Sequence, residues 1–238
     1  MIRRPDLPSI DTLFGGTAKP VAAAPTPEPA TPDPVMVEPG GIDDTMRAGA
    51  VAAACEPSAA IMRATTAAAS VLHPPSDEVG AWLRFMVTAH AAQTVVEVGS
   101  AGGITGLWML DTQASVVVTS IEADEHVHKL AKAAYRDAGV TSQVRAIHTD
   151  GQTVLPRLAD ESYDLVLLQA GAAKLVGELT DAVRVLRPGG VLIARGVLRG
   201  GAHAKANAQF VNTLAEHRFL TVAVLSIDDG VVVATKAC

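Results

Sequence analysis

The part of this chain whose residue types could do chemistry is an apolar run that carries a carboxylate into a cluster of glycines. Val95-Val96-Glu97-Val98-Gly99-Ser100-Ala101-Gly102-Gly103-Ile104-Thr105-Gly106 reads as a strand, a glycine-rich turn and the start of a helix. Glycines in such a turn permit positive φ and let the backbone approach a ligand closely. In open parallel sheets, ligands sit beyond the carboxyl ends of the strands. The spacing is E-x-G-x-x-G-G, not the G-x-G-x-x-G of a dinucleotide pyrophosphate site. A strand-borne acid there suits a cationic or amino-bearing ligand, although a tight strand-to-helix turn without any ligand has the same local pattern.

A second carboxylate, Glu122, closes the next strand about 20 residues after the loop, the spacing at which an acid accepts hydrogen bonds from ribose hydroxyls. The same residue could instead serve the positive end of the helix that follows. A third station is Thr149-Asp150-Gly151-Gln152 after the third strand. Asp150 can accept from an adenine amino group while Gly151 lets the base lie against the backbone. Asp150 can equally cap the helix near Val154, and the two roles are compatible.

Alternating strands and helices must position these stations. Before them, helical spacing of apolar residues predicts helices near 44–55 and 58–71 and a third over 77–90, with Ser76 as N-cap after Pro74 and Pro75. Strands are expected at 94–98, 115–121, 144–148, 163–168 and 191–194, with helices at 104–110, 126–138, 154–158, 175–186 and 204–216. Two last strands near 220–226 and 231–234 flank Asp228-Asp229-Gly230, which reads as a hairpin turn. Repeated β-α units predict an α/β fold, a mainly parallel sheet with helices on both faces and an antiparallel C-terminal hairpin.

Composition narrows the function classes. The chain has 238 residues, 49% hydrophobic and only 3% aromatic, so aliphatic side chains must fill the core. Net charge is -6 with no Lys/Arg block, which argues against nucleic acid as a partner. No run of about 18 apolar residues is present, so no transmembrane helix and no membrane association are expected. The start, Met1-Ile2-Arg3-Arg4-Pro5-Asp6, lacks the apolar run of a secretory signal, and Cys55 and Cys238 read as free thiols of a reducing cytoplasm. Nine of the 14 prolines lie within residues 1–41, so that segment reads as a disordered or polyproline-II-like tail, with 42–238 as the folded domain: N-terminal helices over 42–91 and a Rossmann-like core over 92–238. Leu7–Phe14 in the tail has the character of a short docking motif, or of nothing more than mobile chain.

The three stations, together with Arg187-Pro188-Gly189-Gly190-Val191-Leu192-Ile193 and Ile227-Asp228-Asp229-Gly230-Val231, resemble the class I S-adenosylmethionine-dependent O-methyltransferases that include the catechol and caffeoyl-CoA enzymes. The likeness is greatest to small O-methyltransferases of actinobacteria and covers roughly residues 57–238. The resemblance implies a seven-stranded sheet with the last strand antiparallel, S-adenosylmethionine as cofactor and a small-molecule acceptor. It implies that Glu97, Gly99, Ser100 and Thr105 line the methionine part, with Ala101, Gly102 and Gly103 completing the loop. Glu122 would hold the ribose, Asp150 and Gly151 would flank the adenine, and Gln169 would lie near the methyl. The segment at Pro75 and Ser76 would close over the cofactor, and the helices at 44–71 offer a homodimer surface.

The resemblance breaks where the catechol enzymes hold a divalent cation. Their Asp after strand four, the Lys three residues on and the Asp-Asn pair after strand five correspond here to Gln169, Ala172, Arg195 and Gly196. Magnesium takes carboxylate oxygens, so no metal is expected. Arg195 either faces an anionic substrate or fills the vacated place by pairing with a neighbouring acid. The catalytic candidates are then Gln169, Arg195 and His203, with His73 and Lys205 as further possible bases. A sulfonium donor is already activated, so alignment alone supplies much of the rate. The expected function is metal-independent O-methyl transfer; the alternative is a non-catalytic member of the fold that binds the cofactor or a protein partner.

Overall fold

A computed structural model describes residues 43–112, 115–169 and 172–238, with the backbone alone for Ala172 and Ala173. The expected tail and its Leu7–Phe14 patch lie outside the described residues.

Three helices precede the sheet: α1 (Asp44–Ala54), α2 (Ala59–Ala68) and α3 (Asp77–Ala89). Asp43, Ser58 and Ser76 cap them, each side chain accepting from a first-turn N–H. The alternating core is β1 (Thr94–Val98), α4 (Ile104–Leu110), β2 (Val117–Glu122), α5 (Glu125–Asp137), β3 (Val144–His148), α6 (Gly151–Val154), β4 (Tyr163–Leu168), α7 (Ala172–Val185), β5 (Leu186–Arg195), α8 (Ala204–Ala215), β6 (Leu220–Leu225) and β7 (Val231–Lys236). The seven strands lie in the order β3-β2-β1-β4-β5-β7-β6. Strand β7 alone is reversed, antiparallel to β5 on one side and β6 on the other.

The central strands are buried on both faces, as parallel strands between helical layers must be. On one face Val96, Val98, Val166, Leu168 and Leu192 meet Leu175 and Leu179 of α7 and Phe210 and Leu214 of α8. On the other, Val95, Val118, Leu165, Leu167 and Ile193 meet Val79 and Leu83 of α3 and Met109 of α4. Helices α2 and α5 pack on α4 around Trp108 and Tyr135, which are fully buried.

Several boundaries differ from expectation, α2 ending at Ala68 and α7 beginning at Ala172 among them, and two have a visible cause. Helix α6 begins at Gly151 rather than Val154, because Asp150 caps it by accepting from the N–H of Gln152. Strand β5 begins at Leu186 rather than Val191: Leu186 pairs with Tyr163, and an irregularity before Leu165 accommodates Arg187-Pro188-Gly189-Gly190 within the strand. That sequence, whose proline and glycines have the composition of a turn, is therefore a bulged stretch of sheet. Among the described residues no helix is long and apolar enough to cross a membrane.

Candidate functional site

The loop after β1 is built by its glycines. Gly99 and Gly103 have φ of 88° and 89°, and a Cβ at Gly103 would stand 3.1 Å from Ala131 Cα of α5. Only glycine permits that backbone and that approach. The loop is then tied to the next strand: the Ser100 N–H and Oγ both donate to Glu122 Oε2 at 2.9 Å. The N–H of Asp124 donates to Glu122 Oε1 at 3.0 Å, so the carboxylate is fixed from both sides.

Glu97 has a different place from the one its spacing suggested. Side chains of a strand stand perpendicular to the sheet, and Glu97 points between α4 and α5, not off the strand end. It is 0% exposed and accepts from Thr105 Oγ1 at 2.8 Å, Ser120 Oγ at 2.6 Å and Tyr135 Oη at 2.8 Å. Burial pushes its pKa to about 7, against the three hydroxyls that pull it down. Glu97 and Thr105 thus brace the loop from beneath and do not line a ligand space.

That space is a cavity of about 450 Å³ at the carboxyl ends of the strands, a size suited to a small ligand. Gly99, Ala101, Glu122, Gly151, Gln169 and Arg195, all singled out from sequence, lie on its wall. Ser100, Gly102 and Gly103 stand behind it in the fully buried part of the loop. Asp150 is not on the wall; it caps α6 and pairs with Lys174, which holds its carboxyl below the usual range. Leu72 and His73, not Pro75 and Ser76, close the side toward α3, while the N–H of Ser76 donates to Asp228 Oδ2 at 3.0 Å. His203 and Lys205 are exposed at the start of α8 and off the wall.

Lys174 and Glu178 also lie on the wall and were not singled out from sequence, and Arg199 of the loop after β5 lies there with them. Glu178 alone carried a legible signal: it lies between Leu175 and Ala182 on the apolar stripe of α7, where an acid is out of pattern. It is 1% exposed, and neither carboxylate oxygen has a hydrogen-bond partner.

Arg195 closes the far end. Its Nη1 donates to Gln169 Oε1 at 2.8 Å and its Nη2 reaches Asp228 Oδ2 at 3.4 Å. Of the two sequence alternatives, pairing with a neighbouring acid is thus present. Burial lowers the guanidinium pKa, and Asp228 and Asp229 oppose that shift. Gln169 Nε2 in turn donates to Gly99 O at 2.7 Å and Thr105 Oγ1 at 2.8 Å, linking Arg195 to the cage around Glu97. The donor set does not fit a divalent cation: an amide and a guanidinium stand at the ends of β4 and β5, and the nearby Asp228 is engaged by Arg195 and Ser76. Among the described residues no group of three or more His, Cys, Asp or Glu side chains converges as a metal site.

A seven-stranded sheet of this order, with a ligand space across its strand ends and a fixed carboxylate on β2, defines a Rossmann-like protein of the class I methyltransferase type. The O-methyltransferase family model matches residues 59–237. A protein from Mycolicibacterium vanbaalenii described as a candidate O-methyltransferase is 36% identical over 172 residues, 68% of this chain and 76% of that one. A protein of Corynebacterium glutamicum superposes with a TM-score of 0.72 at 27% identity, covering 82% of this chain and 97% of that chain. The O-methyltransferase TomG of Streptomyces achromogenes, solved with S-adenosylmethionine, shares the fold with a TM-score of 0.73 at 19% identity, over 82% of this chain and 96% of that one. The chain belongs to the O-methyltransferase family: it is an S-adenosylmethionine-dependent enzyme of methyl transfer to a small molecule.

Proposed function

We propose that the chain moves the methyl group of S-adenosylmethionine to an oxygen of its acceptor without a divalent cation. The linear order of the cavity wall carries this reading. Sheet order places β3, β2, β1, β4 and β5 side by side, so Gly151, Glu122, Gly99, Gln169 and Arg195 succeed one another along one cavity. Glu122, held open by Ser100 and Asp124, accepts the ribose hydroxyls. Thr149 and Gly151 border the base, and the Gly99–Ala101 backbone borders the methionyl end. S-adenosylmethionine supplies a methyl group already activated on a sulfonium.

Arg195 stands where a cation would otherwise be, and its charge favours negative charge on the acceptor oxygen. Among His73, His203 and Lys205, only His73 borders the cavity, which supports it over the other two as the group that takes the acceptor proton. The net charge of -6 supports a partner other than nucleic acid. Two unpaired cysteines support a reducing cytoplasm, and exposed Met46 and Met62 on α1 and α2 support self-association through those helices.

Calorimetric titration with S-adenosylmethionine and S-adenosylhomocysteine, with added Mg²⁺ or EDTA, tests the reading. Binding at roughly micromolar Kd, unchanged by either addition, is the expected result. No binding, or binding that requires the metal, would refute it.

A further inference from the structure

The wall of the cavity contains one group that nothing in the fold accounts for. Glu178 is buried to 1% exposure on α7, borders the cavity, and neither of its oxygens meets a donor. A carboxyl buried without partners costs several kcal/mol unless something else supplies hydrogen bonds. Cavities and unsatisfied polar groups that coincide mark places where a ligand completes the set.

The neighbourhood says which part of the ligand that is. A Cβ at Gly151 would stand 2.6 Å from Glu178 Oε1 and 2.4 Å from Val98 Cγ1. Glycine at that position therefore makes room for the carboxyl at the β3 end of the cavity, beyond the Glu122 carboxylate on β2. With the ribose on Glu122, the group reaching this end is the nucleobase. That placement rests on the cofactor reading above.

We propose that Glu178 recognises the amino edge of the adenine, accepting from its exocyclic amine and donating to the adjacent ring nitrogen. An adenine edge offers one donor beside one acceptor, and a neutral carboxyl offers the matching pair. The protonation state agrees. Burial and then the charge of Asp150 raise the Glu178 pKa to about 7, with Lys174 opposing, so the carboxyl keeps its proton in mildly acidic solution. Unsubstituted purine, with hydrogen in place of the amine, keeps the ring acceptor but offers no donor, so one oxygen of the buried carboxyl stays unpaired. Discrimination between two bases by a buried hydrogen-bonding group is commonly large, since the wrong base leaves buried groups unpaired.

Calorimetry on the full chain, slightly below neutral pH, decides the matter with two probes, S-adenosylhomocysteine and its analogue in which unsubstituted purine, without the 6-amino group, replaces adenine. The unmodified chain should favour the adenosyl compound by roughly tenfold or more. Glu178→Leu should weaken adenosyl binding and bring the two probes level. Glu178→Gln, which keeps one donor and one acceptor, should retain the preference. Equal binding of both probes by the unmodified chain would overturn the assignment, and so would undiminished preference in Glu178→Leu. Failure of the unmodified chain to bind either probe would overturn the cofactor reading itself, and this assignment with it. Thermal unfolding of each variant identifies a general folding defect, and the comparison of probes on the unmodified chain stands independently of it.

Discussion

Glu122 is the residue whose geometry is most nearly complete in the absence of any ligand. Three donors, from Ser100 N–H, Ser100 Oγ and Asp124 N–H, fix both carboxylate oxygens while the side chain still borders the cavity. Replacing it with alanine removes two acceptors for the ribose and releases the glycine loop. Hydrogen bonds to a charged group are worth about 1.5–3 kcal/mol each, so Glu122→Ala should weaken S-adenosylhomocysteine binding by roughly 10²-fold in calorimetry. A change of less than about threefold would show that Glu122 serves only the loop. The residue was legible because spacing after a glycine loop is a local, linear property. Glu97 was legible as important but its surroundings were not, because strand alternation turns it toward Tyr135, a residue of α5 far along the chain. Glu178 and Lys174 escaped for a related reason: their place on the wall is set by how α7 packs across the sheet ends.

At the scale of elements, the loop after β1 depends on how closely α4 approaches α5. Gly106 sets that distance: a Cβ there would stand 2.4 Å from Tyr135 Oη. Gly106→Val would drive the tyrosine off Glu97 and leave a buried carboxyl and a buried hydroxyl short of partners. Overpacking and a lost buried hydrogen bond together cost about 2–4 kcal/mol. The urea midpoint should fall accordingly with m unchanged; an unaltered midpoint would mean that the helices separate freely. The far end of the site has its own brace. Asn207 of α8 donates to Gly196 O at 3.0 Å and Arg199 O at 2.9 Å, and the hairpin turn reaches the same loop through Gly196 N–H to Gly230 O at 2.8 Å. The strand-helix alternation that places these elements was legible throughout, since hydrophobic period is local. The start of β5 was not. Proline and two glycines read as a turn, yet pairing of Leu186 with Tyr163 draws them into the sheet, an interaction with no local signature.

For the whole molecule, two buried acids make stability depend on pH in an uncommon direction. Carboxyls usually have depressed pKa values in folded proteins. Asp164 conforms: burial raises its pKa, and hydrogen bonds from Thr94, Gln93 and Arg187 outweigh that and lower it. Such groups lose their stabilising contribution only as pH falls through the acid range. Glu97 and Glu178 are the reverse, each raised by burial from 4.5 to about 7. Between those values the folded chain keeps protons that the unfolded chain has released. The unfolded state then binds fewer protons, so unfolding free energy falls as pH rises through this window and levels off above it. At about 1.4 kcal/mol per pH unit, Glu97 alone accounts for up to about 3 kcal/mol, an order of magnitude that the three hydroxyls around it already moderate. Urea unfolding should therefore show a higher midpoint at about pH 5.5 than at about pH 8. Glu97→Gln, which carries no charge to bury, should remove about half of that slope, since Glu178 keeps its own like shift, and S-adenosylhomocysteine bound at Glu178 should steepen it by favouring the protonated carboxyl. A midpoint that rises from the lower pH to the higher would mean that both carboxylates are satisfied as anions in the folded chain.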